Sequence, residues 1–159
     1  MADAPAIFER YAADPEVSRL MGYPCHESID DTTAFLTAAE KEWANLCAGA
    51  YLIFDADGTL VGSSGLHVET PYRASTGYVL ARDMWGHGYA TEAASGIARI
   101  AFGLGIRRLY ALCHSQNRAS AHVLQKTGFE FEGVLRRYMV FPNLDWSEPH
   151  DVECWAKVS

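Results

Sequence analysis

The stretch WGHGYATE, Trp85–Glu92, sets two glycines around a histidine directly ahead of a long run of small and apolar residues. That run, ATEAASGIARIAFGLG, places Ala90, Ala94, Ile97, Ala98, Ala101 and Leu104 at helical spacing, and Gly103 and Gly105 supply a stop signal. A β-type run over Thr76–Leu80 precedes the loop. Strand, glycine loop and helix in that order make a ready anion site, because the first N–H groups of a helix lack intrahelical partners and carry partial positive charge. Glycine lets a phosphate approach the main chain without meeting a Cβ, although a tight turn that merely packs uses the same residue. Two phosphate motifs fit poorly. A P-loop has Gly-Lys-Ser/Thr where this chain has Gly88-Tyr89-Ala90, and the dinucleotide fingerprint has a third glycine where Thr91 stands. Glu92 would repel an anion from inside the loop, so it is expected to face outward.

Upstream of the loop, Ala6–Ala13 and Ile29–Ala48 read as helices separated by Gly22-Tyr23-Pro24. In the second, Phe35, Leu36, Ala39, Trp43 and Leu46 recur at helical spacing behind an Asp30/Asp31 cap. YLIFDADGTLVGSSGLHV then reads as a hairpin turning at Asp55-Ala56-Asp57-Gly58. Downstream, IRRLYALCH is a strand, NRASAHVLQKTG a helix closed by Gly128, and FEFEGVLRRYMV a strand. PNLDWSEPH reads as a loop, and DVECWAKV as a strand with Val152, Cys154, Ala156 and Val158 on one side. The order predicts an α/β or α+β sheet with helices packed on it, in a single domain spanning residues 1–159.

The composition fits one core: 159 residues, 49% hydrophobic and 21% charged. No apolar stretch reaches the roughly 20 residues of a membrane span, and the N-terminus lacks the order of a secretory signal, so a cytoplasmic protein away from membranes is expected. Cys25, Cys47, Cys113 and Cys154 show neither metal-ligand spacing nor a disulfide framework, and are expected to be reduced and mostly in the core, with no metal bound. A net charge of −7 argues against a nucleic-acid partner.

With these residues in view, GYVLARDMWGHGYATEA and NRASAHVLQKTGFEFEGVLRRYMV resemble the acetyl-coenzyme A binding core of the GNAT superfamily of N-acetyltransferases. More narrowly, WGHGYATEA and the spacing of Asn117, Ser120, Lys126, Gly128 and Phe129 are similar to the ribosomal-protein N-terminal (RimJ/RimL-like) acetyltransferase group. The resemblance runs from about Asp14 to the C-terminus. It implies a mixed, mostly antiparallel central sheet with helices on both faces. Relatives usually begin with a strand before the first helix, so the sheet is expected to lack that edge strand. The open edge would expose a pairing surface, promote a homodimer, or reflect a short form of the family.

The superfamily pattern at the pyrophosphate loop falls on Trp85, Gly88 and Ala90, with Trp85 departing from the usual first residue. The resemblance implies that the loop of Gly86, His87, Gly88, Tyr89, Ala90 and Thr91 holds the pyrophosphate of acetyl-CoA through its amides. It also implies that the main chain of Val79, Leu80 and Ala81 pairs with the pantetheine arm.

In the implied chemistry an amine attacks a thioester, which requires a neutral amine, a polarised carbonyl and a proton for the departing thiolate. An α-amine, with a pKa of about 8, is already partly neutral, whereas a lysine amine near 10.4 needs more help. The position that holds a tyrosine acid in many relatives holds Leu124 here. The subgroup implies Ser120 as acid, with Asn117 on the cofactor arm or on a water; helix capping is the competing role for Asn117. Where relatives often carry a glutamate before the central Gly-Tyr pair, this chain reads Ser75-Thr76-Gly77-Tyr78. Glu69 is therefore the expected base, ahead of His67 and His114, and Tyr138 is a candidate for the acceptor pocket. Cys113 carries no mark of activation, so direct attack in a ternary complex is expected, on a protein N-terminus or a small amine. The alternative is a non-catalytic acyl-CoA-binding or regulatory module on the same fold.

Overall fold

A computed structural model describes residues 2–46 and 48–159; Cys47 and the side chain of Leu46, both expected in the core, lie outside what it describes. α1 (Ala4–Ile7) runs on into a π-helical turn at Phe8–Ala12. Asp14 caps α2 (Pro15–Ser18), its carboxylate accepting from Glu16 N at 2.9 Å. α3 (Ile29–Leu46) starts at a reciprocal box in which Asp31 N donates to Ser28 Oγ at 3.3 Å and Ser28 N donates to Asp31 Oδ2 at 2.9 Å.

Six strands follow, β1 (Ala50–Phe54), β2 (Leu60–Thr70), β3 (Arg73–Leu80), β4 (Arg108–His114), β5 (Glu130–Phe141) and β6 (Asp145–Val158), in the sheet order β1-β2-β3-β4-β6-β5. Only β3 and β4 pair in parallel, and α4 (Tyr89–Gly103) makes the crossover that parallel strands require. α5 (Arg118–Lys126) joins β4 to β5. Among the described residues no strand precedes α1, and β1 and β5 are the sheet's two edges.

Helices cover both faces, and strand alternation explains how. On β3, Ala74 and Tyr78 belong to the cluster under α4 and α5, with Ile97, Ala101, Leu109, Leu124 and Trp155. Val79, with Ala81 just past the strand end, faces the other way, into a cluster with Ile7, Tyr11 and Val17 from the N-terminal helices. The sheet is thus a mixed, mostly antiparallel layer between two helical layers.

Three expectations are corrected. Leu104 is 54% exposed, because α4 ends at Gly103 and Gly105 takes φ +86°; Ile106 then occupies the core place and donates its N–H to Ala101 O. The PNLDWSEPH segment is mostly strand, for β5 reaches Phe141 and β6 starts at Asp145, with Pro149 beside a register shift. β6 lacks the expected one-sided pattern. Val152, Glu153, Trp155 and Ala156 are all buried because the sheet is covered on both faces there, while Val158 is exposed. Among the described cysteines Cys113 is buried and Cys25 and Cys154 are half-buried, all as free thiols. No described helix is long and apolar enough to cross a membrane.

A histidine pair closes one end of the sheet. Gln116 N donates to His114 Nδ1 at 3.1 Å, so the proton of neutral His114 sits on Nε2, which donates to His150 Nδ1 at 3.2 Å. Burial, then His150 and Arg19, lower the His114 pKa against the smaller pull of Asp151, and burial also lowers that of His26. A histidine whose pKa is depressed on folding lets the unfolded chain bind more protons, so its stability contribution is present above about pH 6.5 and lost as pH falls. The melting temperature is therefore expected to drop between pH 7.5 and 5.5, by roughly 2–4 °C per kcal/mol lost at this chain length. His114→Gln should flatten that slope; parallel slopes for the two proteins would refute the assignment.

Candidate functional site

The parallel register of β3 and β4 covers only Arg73↔Arg108, Ala74↔Leu109 and Ser75↔Tyr110. Beyond it the strands part, and a cavity of about 870 Å³ opens between them. Ala81 N donates to Val61 O at 2.8 Å, which fixes the ladder: odd-numbered residues of this segment bond to β2, and the N–H and C=O groups of Tyr78 and Leu80 face the gap. Of the expected trio, Val79 and Ala81 thus spend their main-chain groups on β2, and Leu80 alone turns toward the cleft. Its carbonyl accepts from Trp85 Nε1 at 3.0 Å, which ties the glycine loop to the strand end.

Gly86 and Gly88 have φ of +79° and +92°, a region that costs residues with a Cβ. A Cβ at either would meet nothing within 4 Å, so it is the turn of the chain that calls for glycine there. Gly88 is the N-cap of α4 and no side chain caps that helix. The amides of Tyr89, Ala90 and Thr91 are therefore left without an intrahelical acceptor, beside the exposed Gly86 and His87. Gly86 and Ala90 line the cavity, and Glu92 is exposed, as expected. These donors and the open space before them fit the diphosphate of a coenzyme A thioester.

Deeper in the cleft, Tyr78 from β3 meets Ser120 from the first turn of α5, with Tyr78 Oη 2.9 Å from Ser120 Oγ. Burial pushes the Tyr78 phenol up to about 12, against a smaller lowering by Ser120, so it stays protonated at neutral pH. Asn117 is the N-cap: its Oδ1 accepts from Ser120 N at 3.1 Å, and both residues line the cavity. Asn117 Nδ2 has no partner among the described residues. Cys113 lines the same cleft, but burial pushes its thiol up to about 11, the reverse of what a nucleophilic thiolate needs. Tyr78 escaped the sequence reading; alternation along β3 orients its ring toward the α4–α5 face, but its contact with Ser120 exists only once α5 is docked.

Glu69, the expected base, stands outside the cleft. Its carboxylate accepts from the Tyr110 hydroxyl and from Arg73 Nε, the latter at 2.8 Å. The Tyr110 bond foremost, then Arg73, holds it below the usual carboxylate range, which makes it a weaker proton acceptor than a free carboxylate. His114 is committed to His150, and Tyr138, 58% exposed, does not line the cavity. His67 does line it. No cluster of metal-ligating side chains occurs among the described residues.

Residues 1–130 match the Acetyltransferase (GNAT) domain family. The chain is 33% identical over 141 residues to the uncharacterized N-acetyltransferase YoaA of Bacillus subtilis (strain 168), covering 86% of this chain and 79% of that protein. Among solved structures it is similar to the Salmonella typhimurium acetyltransferase that modifies the N-terminal serine of ribosomal protein L7/L12, at TM-score 0.87 and 21% identity, over 99% of this chain and 90% of that one. It is also similar to the spermidine N-acetyltransferase of Vibrio cholerae in complex with CoA and spermine, at TM-score 0.81 and 18% identity, over 99% and 90%. The chain belongs to the GNAT family of acetyl-CoA-dependent N-acetyltransferases.

Proposed function

We propose that the protein transfers an acetyl group to a primary amine by direct attack in a ternary complex, with Ser120 and Tyr78 handling the proton of the departing sulfur. The carrying observation is that the Ser120–Tyr78 hydroxyl pair lies in the same cleft that opens at the uncapped start of α4. Acetyl-CoA brings the acetyl group as an activated thioester. The amides of His87 to Thr91 and the loop glycines bind its diphosphate, and the main-chain groups of Tyr78, with the N–H of Leu80, receive the pantetheine arm as an added strand would.

Ser120 Oγ donates to the departing sulfur, and Tyr78 Oη, the stronger acid of the two, resupplies Ser120. As the C–N bond forms the amine gives up one proton to solvent, as the C–S bond breaks the sulfur gains one from Ser120, and Tyr78, left as phenolate after resupplying Ser120, recovers one from solvent, so atoms and charges balance. Asn117 holds the first turn of α5, and with it Ser120, through its cap. Its Nδ2 is available to the coenzyme arm. Among the described residues Glu16, which faces Arg19 at 3.9 Å, is the one carboxylate that lines the cleft, an environment that favours an amine entering in its neutral form. An α-amine with a pKa of about 8 meets that requirement far better than a lysine does.

Acetyl-CoA consumption, read as free thiol release across N-terminal peptides and small amines, tests the reading. Ser120→Ala should lower kcat about 100-fold and Tyr78→Phe about 10-fold, with little change in the Kd for coenzyme A. Unaltered kcat in both would remove the hydroxyl pair from the reaction. Gly88→Ala should instead raise the Kd for coenzyme A by about tenfold, since the new Cβ strains the turn that aims the amides. Calorimetric titration checks this, and an unchanged Kd would dismiss the loop as the diphosphate site.

A further inference from the structure

The cleft's second half has a different chemistry from the first. Its wall under α2 and α3 is built from Val17, Leu20, Met21, Tyr23, Phe35 and Ala39. Phe35 is 39% exposed although it is a large apolar ring, and it stands 6.3 Å from the ring of Tyr23 and 6.0 Å from that of His26. Among the described residues the charged side chains on this wall are Glu16 and Arg19, which face each other at 3.9 Å. At its base Ser63 lines the cleft and also a small pocket behind it, which holds the buried hydroxyl of Tyr11, a side chain 4% exposed. Ser63 is thus the polar side chain at this end of the cleft, with the Tyr11 phenol behind it.

Resting on the acetyl-transfer reading, we infer that the acceptor is a primary amine carried on an apolar or aromatic group, seated against Tyr23 and Phe35. A polyamine would bring further ammonium groups to a wall that is mostly apolar and whose one carboxylate among the described residues, Glu16, already faces Arg19. An apolar group instead removes the Phe35 ring from water, and a carbonyl or hydroxyl near the amine meets the Tyr11–Ser63 corner. The same chemistry is offered by a free arylalkylamine and by a peptide with a bulky apolar first residue.

The test compares kcat/KM for phenethylamine, ethylamine, spermidine and two peptides that differ only in starting with Phe or Ser. Phenethylamine or the Phe peptide should exceed spermidine and the Ser peptide by about 10- to 200-fold, and whichever of the two is turned over names the source. Phe35→Ala should collapse the preference for phenethylamine over ethylamine toward unity; because the ring is part-exposed, retained thermal stabilisation by coenzyme A confirms that the variant is folded. Spermidine or the Ser peptide used as well or better overturns this inference and leaves acetyl transfer standing. Coenzyme A binding with no thiol release from any acceptor overturns the transfer reading and the inference with it.

Discussion

Everything at the site depends on a parallel strand pair that stops early. β3 and β4 hold register for three residue pairs and then separate, which leaves main-chain groups of Tyr78 and Leu80 without a strand to bond. Unpaired backbone groups are costly away from water, and a sheet ordinarily closes such a gap. Here α4 and α5 hold it open from one face and the N-terminal helices from the other, so the gap passes between two cores rather than through either. The exposed edge is thereby kept for an extended ligand, and the loop that follows β3 lies at its mouth.

The glycine loop answers an electrostatic difficulty. A chain of net charge −7 repels a polyanion at long range, and the cleft is not ringed with lysines. At physiological ionic strength the screening length is about 8 Å, so local donors decide binding once the ligand has arrived. The uncapped start of α4 presents such donors without carrying a titratable charge of its own. Because amides do not ionise, what they contribute does not change with pH, unlike the contribution of His114 beside Phe141.

What could be read from the sequence was what short-range chemistry specifies. The loop at Gly86 and Gly88, the Asp55–Gly58 turn, the core stripe of α4 and the Asn117 cap each need only a few neighbouring residues to be recognised. The failures are tertiary. Glu69 looked free in the sequence and is bound by Tyr110, a residue 41 positions away that adjoins it only through the β3–β4 register. Tyr78 looked like a strand residue and acquires Ser120 by the docking of α5. Leu104 fitted the helical stripe, but the turn at Gly105 hands its place to Ile106, a choice made by the end of the helix and not by its periodicity.

The segment misread as a loop turns out to fasten the acceptor wall. Asn143, in the turn between β5 and β6, donates to Ser18 O at 2.6 Å and Tyr23 O at 2.9 Å, and accepts from Cys25 N at 2.8 Å. An amide suits the place because it offers two donors and an acceptor on one short stem, whereas a carboxylate would face the two carbonyls with no proton to give. Asn143 lies beyond residues 1–130, the part that matches the family. The matched region supplies both sides of the cleft, while a turn from the C-terminal hairpin holds the backbone that carries Tyr23. A change in that hairpin therefore acts on the wall that carries Tyr23 while leaving the parted strands, the glycine loop and the start of α4 as they are.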